Sequence, residues 1–138
     1  MYTNKLLIVA LAVMPAFAFT QTVPYKVVFD ITSSDTAAQK AVIRQMRGIS
    51  QSRPDAQLEV AIYGEALPMV MKGKSIIADA IQELSSSKKA SFKVCAATMK
   101  RNNIDKSQLL AGVDVVPDAI FEIVTKQHEG WGYIKVAQ

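Results

Sequence analysis

The sequence predicts an α/β domain in which five strands form a mostly parallel sheet with helices on both faces. Three observations carry this. Short, β-branched apolar runs alternate with stretches of helical period along the chain. The connections between them are too long for hairpins, so successive strands run the same way. Glycine, proline, serine and asparagine fall at the joints. The 138 residues fit one domain, and a 50% hydrophobic composition excludes a disordered or low-complexity chain. A net charge of +4 is mildly basic; it permits an acidic partner without requiring one.

The first segment reads as a leader, not as part of the fold. Lys5 precedes the apolar run Leu6 to Met14, followed by Pro15 and Ala16-Phe17-Ala18. A positive start, a short apolar stretch and an A-x-A exit make a cleavable secretory signal over residues 1–18. Nine continuous apolar residues fall short of the roughly 20 that span a bilayer, so no stable membrane span is expected after cleavage. The expected destination is a bacterial periplasm, an oxidising compartment. The single cysteine, Cys95, has no partner within its own chain there.

Tyr25 to Ile31 is apolar nearly throughout, as a strand covered on both faces is. Ser33-Ser34-Asp35 then offers helix-capping side chains, and Ala38, Val42, Met46 and Ile49 form an amphipathic stripe. Arg53-Pro54 ends that helix. Leu58 to Tyr63 is the second strand, closed by Gly64. The apolar stretch Glu65 to Gly73 has no regular period. Ser75 is expected to cap a helix with Ile77, Ala80, Ile81 and Leu84 inward. Phe92 to Cys95 is the third strand, followed by the helix-favouring run Ala96 to Arg101. Asn102-Asn103 stops it, and Asp105 caps one or two turns reaching Leu110, with Gly112 as their end. Val113 to Val116 is the fourth strand. Pro117 is expected to open the last helix, with Ile120, Val124 and Gln127 on its inner face. Tyr133 to Val136 is the fifth strand.

Several motifs are weak. Gly73-Lys74-Ser75 resembles the end of a phosphate loop, but the glycine needed five residues before Gly73 is Pro68. No dinucleotide fingerprint G-x-G-x-x-G occurs. His128 and Cys95 are too few for a metal site, so neither metal nor cofactor is expected. Lys88-Lys89 and Lys100-Arg101 are separated and lack interleaved aromatics, so no nucleic-acid partner is expected. Trp131 and Tyr133 fit an interface or the packing of the last strand equally well.

Ligands of parallel sheets gather beyond the carboxyl ends of the strands. Four segments leave those ends: Thr32 to Asp35, Gly64 to Gly73, Cys95 to Ala97, and Val116 to Asp118. Only one holds a nucleophile. Cys95 ends a strand and begins a helix, where unpaired amides favour a thiolate. Lys100 and Arg101 add positive charge within about two turns. Free cysteine is also among the most buried residue types, so a structural role stays open.

The segment Val94-Cys95-Ala96-Ala97-Thr98-Met99-Lys100-Arg101-Asn102-Asn103-Ile104 resembles the cysteine region of the DsrE/DsrF-like family. Leu109 to Pro117 and Gln127 to Ile134 extend the likeness, which covers about residues 25 to 136 and is nearest to exported single-domain members. The resemblance implies a flavodoxin-like three-layer sandwich that assembles into trimers or hexamers. In its sulfur-relay members a cysteine matching Cys95 carries sulfur as a persulfide, which needs neither metal nor cofactor. The resulting expectation is a periplasmic sulfur carrier in which Cys95 exchanges sulfur with donor and acceptor proteins. Asp30, Ser33, Ser34 and Lys100 are the expected lining of its pocket. The alternative is a non-catalytic oligomeric binding module with a structural Cys95. Its contact surface would be the loop Leu67-Pro68-Met69-Val70-Met71.

Overall fold

The computed structural model describes residues 23–136, so the leader assigned to residues 1–18 lies outside the described residues. Five strands alternate with four helices: β1 (Lys26–Ile31), α1 (Thr36–Ser52), β2 (Gln57–Ile62), α2 (Ala78–Ser86), β3 (Ala90–Cys95), α3 (Ala96–Arg101), β4 (Val113–Val116), α4 (Ala119–His128) and β5 (Gly132–Lys135). The strand order is β4-β3-β2-β1-β5, and every pairing is parallel. This is a three-layer, flavodoxin-like α/β sandwich, with the last strand beside the first.

Handedness explains the layering. From β1 to β4 the chain steps across the sheet in one direction, so right-handed crossovers keep its helices on one face. The return from β4 to β5 runs the other way and takes α4 to the opposite face. Val27, Phe29, Val60, Ile62, Phe92 and Val94 point to the first face, where they pack with Val42 and Met46 of α1 and Ile81 of α2. The intervening residues Val28, Ala61 and Cys95 point to the other face and meet Ala119 and Ile123 of α4, with Tyr63, Ala97 and Trp131 packed around them. Alternation along each strand thus divides a large core from a small one.

Local chemistry sets the element ends, with some departures from expectation. Asp35 caps α1 by accepting the Ala37 amide at 3.0 Å. Ser75 accepts the Ile77 amide instead of capping α2, which starts later at Ala78. The stretch expected to be irregular is a 3-10 helix over Gly64–Val70. Its Leu67, Met69 and Val70, with Met71, are buried in the chain's own core, so this loop is not the contact surface foreseen for a binding module. Asp105 and Gln108 close a reciprocal capping box around the single turn Lys106–Gln108, shorter than expected.

The last helix corrects two expectations. Asp118 caps it, accepting the Ile120 and Phe121 amides, so Pro117 lies outside. Its inner face is Ala119 and Ile123, whereas Ile120 is 59% and Phe121 72% exposed and Val124 also faces outward. The helix is apolar on two sides, and the side with the small Ala119 packs closest to the sheet because it lets the first turn approach Cys95.

Gly112, the turn before β4, has φ +83 and would drive a Cβ into the Ser85 side chain. Gly112→Ala is therefore expected to cost about 1–3 kcal/mol. Gly48, mid-helix in α1 with open space around it, gives the opposite sign: Gly48→Ala adds about 0.5–1 kcal/mol. Urea denaturation of both variants checks the pair.

Candidate functional site

The carboxyl ends of β3 and β4 send their helices to opposite faces, and Cys95 sits at this divide. It is the last residue of β3 and the N-cap of α3. Its side chain is 5% exposed and packs with Val28, Ala61, Ala119 and Ile123, with Tyr63, Ala97 and Trp131 around them. Burial pushes its pKa up. The amides of Ala119, Thr98 and Ala97 and the Thr98 hydroxyl outweigh this and hold the thiol below its ordinary value. The thiol closes no cap hydrogen bond of its own; the amides act on it as oriented dipoles, as the start of a helix does on an anion. Two chain segments, the starts of α3 and α4, thus aim positive ends at one sulfur.

Thr98 is the buried link between Cys95 and the neighbouring strand end. Its Oγ1 accepts the Gly64 amide at 3.3 Å and the Arg101 guanidinium at 3.2 Å. Gly64 follows β2 with φ +61, a left-handed conformation that suits glycine. Tyr63, just before it, has its pKa pushed up to about 12 by burial, then by Asp30, Asp118 and Cys95.

Asp30 lies on the same face two strands away and is buried. It accepts Tyr133 Oη at 2.6 Å and Lys135 Nζ at 3.1 Å. Lys135 also donates to Thr32 Oγ1 at 3.1 Å. The hydrogen bond to Asp30 is the main reason Tyr133 is raised to about 12, so the phenol remains a donor through the physiological range. This network ties edge strand β5 to β1.

The sequence pattern of the DsrE/DsrF-like family matches residues 26–136. The chain belongs to the DsrE/DsrF-like family. A protein of unknown function from Methanobacterium thermoautotrophicum, MTH1491, is 30% identical with a TM-score of 0.76, the match covering 80% of this chain and 98% of that one. The ychN protein from E. coli is 12% identical, TM-score 0.67, over 82% of this chain and 99% of its own. A protein of unknown function from Bacteroides thetaiotaomicron, BT1422, is 11% identical, TM-score 0.65, covering 80% and 94%. These last two share the fold. No curated protein matches the sequence closely enough to lend it a function. Membership supports a role related to sulfur relay.

The DsrE/DsrF-like domain distributes the expected site residues unevenly. Asp30 lies on the same face of the sheet as Cys95, two strands away, and is held by Tyr133 and Lys135. Ser33 serves its own turn, accepting the Asp35 amide at 3.0 Å, and the Ser34 carbonyl accepts from the Gln39 side chain. Neither serine bonds to Cys95 or Asp30, because their loop feeds α1 on the opposite face. The Lys100 side chain is exposed and forms no hydrogen bond or ion pair among the described residues; its neighbour Arg101 donates to Thr98 Oγ1 at 3.2 Å. Thr98 was missed, although its position three residues after a helix-starting cysteine is the signal for it. Tyr63 and Lys135 carry no local pattern that marks them. Among the described residues no group of three or more potential ligand side chains is placed to hold a metal ion.

A second charged cluster lies farther along the α4 face. Glu59 is 2% exposed; Ser91 donates to its Oε2 at 3.1 Å, and its Oε1 is buried without a partner. Lys126 lies 3.7 Å from Glu59, 3.6 Å from Glu122 and 3.7 Å from Glu129, and 4.7 Å from the centre of the Trp131 ring. Burial raises the Glu59 pKa despite Lys126, and Glu122 raises it further. A raised carboxyl makes the fold bind its proton more tightly than the unfolded chain. Stability contributed by Glu59 therefore falls as pH rises from the ordinary glutamate value through the elevated one. Glu59→Gln is expected to stabilise the protein more at pH 8 than at pH 5, checked by urea midpoints at both.

Proposed function

We propose that the protein is an exported sulfur carrier in which Cys95 holds sulfane sulfur as a persulfide and passes it to a partner thiol. The observation that carries this reading is the placement of Cys95 at the end of β3 as the N-cap of α3 and against Ala119 at the start of α4, where amides favour the thiolate. The thiolate is the nucleophile in such exchange. Cys95 sulfur attacks the sulfane sulfur of a polysulfide or of a donor persulfide. The new S–S bond forms as the old one breaks, and the shortened thiolate leaves. In the second step an acceptor thiolate attacks the outer sulfur and returns Cys95 as thiolate. Each step exchanges one S–S bond for another, so no external oxidant, metal or cofactor is required.

The burial of Cys95 favours a small donor. Once loaded, the outer sulfur projects about 2 Å beyond Sγ, which brings the transferable atom outward. The leader read over residues 1–18 supports export to the periplasm. No helix among the described residues is long and apolar enough to cross a membrane. A homo-oligomer, a trimer or hexamer, is supported by the family and by the outward Ile120, Phe121 and Val124 of α4, since apolar patches of this kind mark contact surfaces.

The near-complete burial of Cys95 among aliphatic side chains favours one second reading, a binding module with a structural cysteine. Polysulfide treatment followed by intact-mass analysis separates the two. The carrier reading expects a gain of about 32 Da, one sulfur atom, on the folded wild type and none on Cys95→Ser. Absence of the adduct while a free-thiol control reacts contradicts it. Phe121→Asp is expected to shift the assembly to a smaller species in light scattering with the fold retained.

A further inference from the structure

We infer that the trough between α1 and α2 is a binding site for a single-chain amphiphilic carboxylate, with its head held by Lys40 and Arg44 and its chain laid on Ile43, Ile76 and Ile77. The site is on the face of the sheet opposite to Cys95 and is independent of the sulfur chemistry.

The shape comes from the topology. α1 and α2 cover the same face, and each returns from the end of one parallel strand to the start of the next, so the two helices run parallel. Between them lies a cavity of about 850 Å³, within the roughly 300–1,000 Å³ of small-molecule sites. One wall is a strip of α1 from Lys40 to Gln51, about 16 Å along the helix axis. The other is the segment Ser75 to Ala80 that leads into α2. Gly48 adds no side chain to the first wall, and a Cβ there would meet nothing. The trough therefore stays open along its length and suits a linear chain. Its floor is apolar: Ile43 and Ile77 are buried, and Ile76 stands at the rim, 52% exposed.

The charges specify the head. Arg47 crosses the trough to Glu83 of α2, a step of 36 residues. The same step leads from Arg44 to Ala80 in α2, and from Lys40 to Ile76 just before it. α2 thus gives a carboxylate to one cation and only hydrocarbon to the other two. Lys40 and Arg44, one turn apart on α1, are exposed and form no hydrogen bond or ion pair among the described residues. Asp79 lines the same trough and is likewise unpaired among them, so the two free cations exceed the one free anion. A guanidinium matches a carboxylate fork to fork. A ligand carboxylate would stand to Arg44 as Glu83 stands to Arg47. An inorganic anion would leave Ile76 in water, and a neutral hydrocarbon would leave both cations without a partner. A carboxylate on an apolar chain satisfies both.

The test is isothermal titration of the folded protein with dodecanoate, kept below micelle formation, beside acetate, dodecyltrimethylammonium and vesicles of anionic phospholipid. Dodecanoate is expected to bind far more tightly than acetate or dodecyltrimethylammonium. Arg44→Gln and Lys40→Gln each weaken it about fivefold or more, a part of what one charge-assisted hydrogen bond supplies. Asp79→Asn strengthens it. Gly48→Leu fills the trough and abolishes binding, with the fold checked by its urea midpoint; should that variant unfold, Gly48→Met supplies the same block. Equal affinity for dodecyltrimethylammonium overturns the inference. So does binding that survives Arg44→Gln and Gly48→Leu; its loss in Phe121→Asp would then place the chain on the outward patch of α4. Binding to the vesicles with none to monomeric dodecanoate also overturns it and assigns a membrane surface instead. The titration is repeated on Cys95→Ser, where unchanged binding is expected, so the outcome stands whether or not Cys95 carries sulfur.

Discussion

A sulfur anion removed from water must have its lost hydration replaced, and the carboxyl edge of this sheet is arranged around that requirement. Burial alone would keep Cys95 protonated. The amides of Ala97, Thr98 and Ala119 reverse the balance. They come from two helices that start side by side because β3 and β4 lead to opposite faces. That divergence follows from the strand order: a chain that steps three times in one direction must return over the other face to keep its crossovers right-handed. The return helix, α4, therefore begins beside the residue that ends β3. Topology thus brings the second set of amides to the sulfur.

The same return leaves one helix to cover a face that three helices share on the other side. Alongside the apolar Val28 and Ala61, this face of the strands accordingly carries polar or charged residues: Asp30, Glu59, Ser91 and Lys93. Two of them are buried carboxylates stabilised in different ways. Asp30 is matched by Tyr133 and Lys135 and joins β5 to the sheet. Glu59 shares one ammonium, Lys126, with two other glutamates and keeps an oxygen without a partner. The first network ties β5 to β1 and the second holds the far end of α4. Meanwhile the outer side of α4 presents Ile120, Phe121 and Val124, an apolar surface that no part of the chain's described residues covers.

Most of the fold was legible in the sequence because period and punctuation are local. β-branched runs marked all five strands, and Asp35, Asn102, Gly112 and Gly130 fell where elements begin or end. The inner face of α4 was not legible. Its sequence is apolar on two sides, and the choice between them depends on the small Ala119 fitting against a cysteine in another strand. The buried 3-10 helix over Gly64–Val70 was hidden for a related reason: Pro68 interrupts any helical period, while burial comes from neighbours distant in sequence. In the site, Cys95 stood out as a nucleophile at a strand-to-helix junction. Thr98 and Arg101 lie within the same short motif, but only the folded structure shows that Arg101, and not Lys100, turns back onto Thr98. The Tyr63–Asp30–Lys135 row joins three strands, and no local pattern contains it.

The central claim is that converging amides hold the Cys95 thiol below its ordinary pKa while the side chain is almost out of contact with water. Ultraviolet titration of the thiolate band, taken as wild type minus Cys95→Ser in the folded protein, measures this directly. The account predicts a midpoint below that of a free cysteine. A midpoint at or above the free value would show that burial outweighs the amides, and the sulfur would then be a packing atom instead of a carrier.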